Sequence, residues 1–407
     1  MASFSALPTP HPVPRCCALL LAGLLISSAA AQTVPTLGTE HTLDVATWNI
    51  EWFGDPSNGP SDDAQQFERV KAVIQQSGID LWAVQEIADA DDFDRLLDEL
   101  GSDFAGVLAT NSGQQRIGFI YDTRTVQLNG SPQHILESFD YDFAGRPPLQ
   151  ISTRITLPDT TVTVLFITVH MKAFSDRTSY ERRQSASSRL KNRLDFLHPA
   201  DRVVVLGDFN DELGRSTYLG LPSPYQNFLD DPDDYYFASL PLDAQDLGTY
   251  CSSDACSGST LDHILITDEM LPPLVDGAAD RFVALTSVFS AYSSTTSDHL
   301  PVYARFDFTR STPLTPPPGV PARAALAAYP NPFTDALTIE VAPGRPEAVR
   351  VAVYDLLGRA VWQDAWAATP EPTRTVTIPT GTWAPGVYVV RVTSGTDVHS
   401  RLVTRVR

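Results

Sequence analysis

The chain has 407 residues, 43% of them hydrophobic and 19% charged, with a formal net charge of −20. That is enough for two or three domains with sizeable cores, and no apolar run reaches the roughly 18 residues of a membrane span. So large an acid excess argues against indiscriminate binding to nucleic acid or anionic lipid, though not against a phosphate substrate held beside a metal ion.

Arg15 precedes a short apolar stretch, Cys17 to Ile26, which leads into Ser27-Ser28-Ala29-Ala30-Ala31. A basic start, a short apolar centre and a small-residue end predict a secretory signal over residues 1–31. Its removal takes Arg15 away and moves the charge from −20 to −21. Export implies an oxidising compartment, so Cys251 and Cys256 are expected to close a small loop disulfide, with two free thiols as the alternative.

Leu43 to Trp52 alternates and reads as a strand, with Asn49 and Glu51 on one side. Asp63 to Gln76 has helical apolar spacing. Asp80 to Val84 is a strand ending in Gln85-Glu86, and Asp91 to Leu100 is a helix stopped by Gly101. Ile117 to Tyr121, Thr125 to Leu128, Leu149 to Leu157 and Thr161 to His170 read as strands. Thr178 to Leu197 is the strongest helix, with Ala186, Leu190, Leu194 and Leu197 inward and Arg182, Arg183, Arg189, Lys191 and Arg193 outward. The apolar strand Val203 to Leu206 runs into Gly207-Asp208-Phe209-Asn210. Leu219 to Gly248 is loop-rich and acidic. Ser259 to Ile266, Phe282 to Leu285 and Val302 to Phe308 complete the strands. This order predicts a layered α/β domain with a mixed-sheet core over residues 40–309. Residues 310–324 form a Pro-rich linker. Residues 325–407 carry short alternating strands and no evident helix, a small all-β sandwich. That tail is nearly neutral, so the acid excess belongs to the first domain.

Asn49, Glu86, His170, Asp208, Asn210, Asp262 and Asp298-His299 each end or interrupt an apolar run. In a layered sheet such strand ends converge on one edge. Convergent acids without Cys favour Mg²⁺, Mn²⁺ or Ca²⁺. Two His beside them provide for acid–base work, and the combination suits phosphate-ester cleavage by an activated water. Taken alone, an Asp-x-Asn strand end also makes an ordinary turn.

Trp48-Asn49-Ile50-Glu51, Gln85-Glu86, Val169-His170, Gly207-Asp208-Phe209-Asn210, Leu261-Asp262-His263-Ile264 and Ser297-Asp298-His299-Leu300-Pro301-Val302 follow one another in the order of a known motif set. Over about Leu43 to Phe308 the chain resembles the endonuclease/exonuclease/phosphatase superfamily, to which deoxyribonuclease I belongs. The resemblance implies a four-layered α/β sandwich with two central mixed β-sheets and a divalent metal, Mg²⁺ or else Mn²⁺ or Ca²⁺. It further implies that Glu86 ligates the metal, with Asn49 and Asp298 in support. His299 would activate water, oriented by Asp262. Asp208 and Asn210 would position the nucleophile and stabilise the charged transition state, and His170 would serve the leaving oxygen. Tyr121 falls near a phosphate-side aromatic of some members. One departure stands out: where deoxyribonuclease I has a Glu orienting the His matched by His170, the nearest residue here is Gln115.

Other residues carry blander expectations. His263 is expected to pack beside Asp262, and Glu51 to make a solvent or loop contact. The Arg182 to Arg193 face is expected to be solvated; with Lys172 and Arg177 beside it, it could also hold a phosphodiester backbone.

Tyr329-Pro330-Asn331-Pro332-Phe333, Val353-Tyr354-Asp355-Leu356-Leu357-Gly358-Arg359 and Pro385-Gly386-Val387-Tyr388-Val389-Val390-Arg391 resemble the C-terminal sorting domain of type IX secretion substrates. That implies handling by the type IX machinery and delivery to the cell surface or the medium, without stable membrane insertion. The expected protein is a monomeric, exported, metal-dependent phosphodiesterase, a nuclease in the first instance. The rival readings are a phospholipid or inositol-phosphate phosphodiesterase, with Tyr235-Tyr236-Phe237 as its one short candidate for membrane insertion, and a non-catalytic adhesin.

Overall fold

The computed structural model describes Met1 and residues 33–110, 113–310, 325–342, 348–355, 358–368, 374–394 and 397–406. Apart from Met1 and Arg310, the expected signal and linker lie outside the described residues. Among the described residues, no helix is long and apolar enough to cross a membrane.

Two mixed sheets lie at the centre. The six-stranded sheet runs in the order Asp280–Arg281, Val302–Phe306, Leu43–Phe53, Leu81–Ile87, Arg116–Asp122, Phe104–Leu108. The seven-stranded sheet runs Tyr235–Phe237, Asp262–Thr267, Val203–Asp208, Thr160–His170, Leu149–Leu157, Val126–Leu128, with Gln133–His134 also on Leu149–Leu157. Each sheet has one parallel pair at its heart: Leu43–Phe53 with Leu81–Ile87, and Thr160–His170 with Val203–Asp208.

Strand alternation explains the layering. Leu43 and Val45, Leu81 and Ala83, Val164 and Phe166, Val204 and Leu206, and Ile264 and Ile266 face the seam between the sheets. The intervening Ala46, Trp48, Trp82 and Val84 face the helices Asp63–Gln76 and Ala90–Leu100. Leu165, Ile167, Val169, Val203 and Val205 face the helix Arg177–Leu197 on the opposite side. Helix, sheet, sheet, helix is the four-layered α/β arrangement. Acidic N-caps set the start of each long helix, with Asp62 accepting from Gln65 N, Asp89 from Asp91 N and Asp92 N, and Asp176 from Ser179 N.

The tail is all β. A three-stranded sheet, Ala325–Tyr329, Ala336–Ala342 and Arg374–Pro379, and a four-stranded sheet, Ala360–Trp366, Val349–Asp355, Gly386–Ser394 and Asp397–Arg405, share a core that includes Leu337, Ile339, Val351, Val353, Val390 and Val392.

Three expectations change. Phe282 to Leu285 is not a strand: pairing ends at Arg281 and a short helix, Leu285–Val288, follows. Phe282, Leu285 and Phe289 are buried together at helical spacing, which overrides their β propensity. The acidic stretch from Leu219 to Gly248 contains the helices Gln226–Leu229 and Leu240–Asp243 and the strand Tyr235–Phe237. Tyr235 and Phe237 are buried there, so this segment offers no apolar loop for a bilayer. Arg183 does not lie on an outer helix face. Its side chain is fully buried, paired with Asp211 Oδ2 at 3.0 Å.

Candidate active site

At one edge of the seam the inward rows turn polar. Leu43 and Val45 continue into Thr47 and Asn49, Ala83 into Gln85, Phe166 into Thr168 and His170, Leu206 into Asp208, and Ile264 into Asp262. Gln85 joins the sheets below this edge: its Oε1 accepts from Thr47 Oγ1 at 3.1 Å and its amide donates to Thr168 Oγ1 at 3.1 Å. Asn49 lies above it and donates to both Glu86 Oε1 (3.2 Å) and Asp208 Oδ2 (3.1 Å), so one carboxamide links both sheets.

Glu86 would face the helix layer by simple alternation. A bulge between Val84 and Ile87 and a left-handed backbone at Glu86 (φ 62°) turn it toward the site. A matching irregularity lies between Asn49 and Phe53, where Glu51 (φ 43°) and Trp52 (φ 51°) are also left-handed. The two bulges interlock, since Trp52 N donates to Glu86 Oε2 at 3.2 Å. Such backbone outliers gather where a site requires them.

Gly207-Asp208-Phe209-Asn210 is both a turn and a part of the site. Asn210 is left-handed (φ 54°), with its N donating to Asp208 Oδ1 at 2.9 Å and its amide to Met171 O at 3.2 Å. Phe209 packs edge-on against Tyr225, 5.1 Å between centroids. A Cβ at Gly207 would meet Val169 O at 2.0 Å, so only glycine lets these parallel strands approach.

His299 and Asp262 form a dyad across the seam, Nδ1 to Oδ2 at 2.7 Å. Thr249 Oγ1 donates to the same Asp262 oxygen at 2.6 Å. Burial pulls the His299 imidazole down, but Asp262, then Asp208 and Asp298, carry it well above its ordinary value. His299 Nε2 lies 4.0 Å from Asp298 Oδ1. His170 is the opposite case. Its Nε2 is 3.7 Å from Glu86 and 3.6 Å from Asp208, and its Nδ1 has no hydrogen-bond partner among the described residues. Burial, then the charges of Arg146, His299 and Lys172, hold it well below the usual imidazole range, so it is neutral.

The carboxylates crowd one another. Burial, then Asp298 and Glu86, push Glu51 up to about 8, and burial above all raises Glu86, Asp208 and Asp298. Asp298 N donates to Glu51 Oε2 at 3.0 Å. Glu51 is therefore part of the acidic cluster and not a loop contact, on the same side of its strand as Asn49. This oxygen-rich set fits a hard divalent cation, which would relieve both the burial cost and the mutual repulsion. Asp208, Asp262 and His299 also bring ligand atoms within 4.8 Å of one another. His299 Nδ1 is already committed to Asp262, so the Asn49, Glu51, Glu86 and Asp298 side is the better cation cradle.

Arg146 had no signal in the sequence beyond being a lone cation between Gly145 and Pro147. Its Nη1 donates to Gln115 Oε1 at 2.8 Å and its other nitrogens to His170 O and Met171 O at 3.4 and 3.2 Å. Burial lowers it, while Glu86 and Asp208 pull it back up. Gln115 also lies close enough to Glu86 to favour its charged form. Among the described residues its hydrogen-bond partner is therefore Arg146 and not His170. Lys172 lies nearby, lowered by burial and then by Arg182 and Arg146.

Tyr121 is not at the site. It pairs with Leu81, whereas Ile87 pairs with Arg116, which puts Tyr121 five residues back along the sheet from Glu86, roughly 17 Å away. Its ring fills the inter-sheet core. His263 packs on the outer face between Ser239 Oγ (3.0 Å) and Asp211 O (3.1 Å). Arg182 donates to Tyr141 O at 2.8 Å and lies over the Tyr141 ring. Cys251 and Cys256 form a disulfide, and Cys251 N donates to Asp298 O at 2.6 Å.

Residues 46–299 match the Endonuclease/Exonuclease/phosphatase family. The chain belongs to this family. It is thus a phosphoric ester hydrolase of a family that uses a divalent metal. Residues 327–405 match the secretion system C-terminal sorting domain, which directs export by the type IX route to the cell surface or the medium. Among solved structures, the chain is similar to an endonuclease/exonuclease/phosphatase from Beutenbergia cavernae, at 18% identity and a TM-score of 0.49 over 89% of this chain and 100% of that one. It is similar to the human Nocturnin catalytic domain with bound sulfate, at 18% identity and 0.45 over 66% and 95%. A mannosyl-6-phosphatase of Bacteroides thetaiotaomicron aligns at 17% identity and 0.44 over 64% and 98%. No curated protein matches the chain.

Proposed function

We propose that this hydrolase is an exported nuclease that cleaves phosphodiesters of DNA or RNA. The domain plan behind this reading is a signal over residues 1–31, a catalytic domain over 40–309, a linker over 310–324 and a sorting domain over 325–407. Asn49, Glu51, Glu86 and Asp298 would hold the cation, most simply Mg²⁺, which when bound neutralises charge on the phosphate and lowers the pKa of water.

The chain's own residues divide the remaining work. With Nδ1–H donated to Asp262, His299 points Nε2 into the site; it would take a proton from water in its neutral form, which the positive charge of a bound cation favours over the protonated form that the surrounding carboxylates otherwise stabilise. The water oxygen bonds to phosphorus as the bond to the leaving oxygen breaks. Asp208 and Asn210 orient that water and the phosphate, with Asn210 held by its bond to Met171 O. Neutral His170 offers an N–H toward the phosphate or the leaving oxygen rather than a full charge.

The observation that carries the nuclease reading is the cationic rim on the His170 side. Arg146, Lys172 and Arg182 lie within Coulombic reach of one another beside an otherwise acidic site. A diester flanked by further phosphates suits such a rim. The test is a panel of plasmid, single-stranded DNA, RNA, sphingomyelin and inositol phosphates with Mg²⁺. Turnover of the nucleic acids is expected, and turnover confined to the lipid or the inositol phosphates would overturn the reading. EDTA should stop the reaction, and full activity in chelator would remove the metal from the scheme.

A further inference from the structure

One feature at the rim is used by none of these roles. Phe174 is 73% exposed and left-handed at φ 79°. A bulky residue in that backbone conformation is strained, and its ring is left mostly in water. The loop that presents it is nonetheless well fixed. Buried Arg183, paired with Asp211, donates from Nη1 to Lys172 O at 2.6 Å and to Phe174 O at 2.9 Å. Lys172 Nζ lies 4.3 Å from the Phe174 ring centroid. Phe174 follows His170 by four residues, and Lys172 lies close enough to His170 to lower it electrostatically. Tyr141 repeats the pattern: it is 62% exposed, with Arg182 Cζ 4.2 Å from its ring centroid.

Cations alternating with exposed aromatic rings match a strand that alternates phosphates with bases. A bilayer would suit the rings but would strip water from ammonium and guanidinium groups held against them. The rest of the basic helix adds little to a phosphate-binding track. Arg177 is paired with Glu181, Arg189 lies against Asp142 and the Phe139 ring, and Lys191 is held by Asp195 and Asp231. Arg193 lies eleven residues beyond Arg182 on the helix, about 16 Å further along, so the free cationic footprint beside the site is short. A stacking ring also requires a base whose face is open, which a paired duplex does not offer.

We infer that the substrate class is unpaired nucleic acid, with Phe174 stacking a base next to the scissile phosphate and Lys172, Arg182 and Arg146 holding the adjoining phosphates. This rests on the nuclease reading above and narrows it. The full chain, Phe174→Ala and Phe174→Trp would be assayed with Mg²⁺ on four substrates: a single-stranded oligonucleotide, its duplex, the same strand with abasic spacers around the cleaved bond, and sphingomyelin vesicles. The wild type should prefer the base-bearing single strand to the abasic one. Phe174→Ala should raise KM for the base-bearing strand about tenfold or more, with kcat changed much less, and should erase that preference. Phe174→Trp should restore it. The salt dependence should be shallow, with a log–log slope of about −2 for three phosphate contacts.

Equal cleavage of duplex and single strand, an unaltered preference in Phe174→Ala, or a slope steeper than about −5 would overturn the inference and leave the nuclease reading standing. Hydrolysis of the vesicles with no cleavage of any oligonucleotide would overturn both.

Discussion

The two histidines of the site lie in opposite surroundings. His299 is tied at almost every atom. Its ring bonds Asp262, its carbonyl accepts from Trp48 Nε1 (3.1 Å) and Tyr292 Oη (2.7 Å), and its N donates to Ser297 Oγ (3.0 Å). Among the described residues His170 has no hydrogen-bond partner at Nδ1, its nearest carboxylates, Glu86 and Asp208, stand off at 3.7 and 3.6 Å, and Arg146 and Lys172 act on it electrostatically. A group that must hold one tautomer and accept a proton needs a fixed acidic partner. A group that donates from the neutral state needs the reverse. Burial alone lowers both rings, so the difference between them is made by the neighbouring charges.

The contrast is broken most severely at Asp262. Asp262→Asn should lower kcat by about a thousandfold or more, because the imidazole loses both its orientation and its counter-charge. If its turnover were near that of the wild type, His299 would not be the base. His170→Ala should cost less, about a hundredfold, since one neutral donor is lost from a site that keeps its cations. A larger loss than that of Asp262→Asn, measured on the same substrate, would reverse the assigned roles. Replacing Cys251 and Cys256 with Ser should destabilise the fold by about 2 kcal/mol in a denaturant titration. Through the Cys251 bond to Asp298 O, the replacement should also reduce turnover more than binding.

Asp80 supplies a control: it lies just before the strand that carries Glu86, at the end away from the site. Burial above all pushes it up to about 7. The unfolded group ionises near 4, so the native state holds the proton more tightly. Its contribution to stability is greatest below pH 4, declines as pH rises to about 7, and is flat above that. The slope is at most about 1.4 kcal/mol per pH unit. Asp80→Asn should flatten that part of the pH–stability curve without altering the ranking of the two histidine variants.

Much of this was legible in the sequence wherever period-two rows governed. Leu43, Val45 and Asn49, or Val204, Leu206 and Asp208, give both the buried face and the polar residue at its end. Legibility failed where the backbone departs from that period. Glu86 owes its direction to a bulge that alternation does not encode. Tyr121 was misplaced because the antiparallel register, not the motif order, decides which end of a strand reaches the site. Arg183 looked like a surface cation because helical spacing does not reveal a buried partner such as Asp211, which is distant in sequence. Arg146 comes from a loop without periodicity, and only the folded chain brings it to Gln115 and His170.

The Thr47–Gln85–Thr168 bridge has a mechanical consequence. Asn49 and Glu86 ride on one sheet, with His299 in the segment that leads into its strand Val302–Phe306, and His170, Asp208 and Asp262 ride on the other. Catalytic alignment is thus a matter of how far one slab slides over its neighbour, and apolar side chains alone resist such shear weakly because their attraction has no direction. A carboxamide pinned to a hydroxyl on each slab supplies the missing directionality. Gln85 works as a dowel that keeps two independently supported half-sites in register.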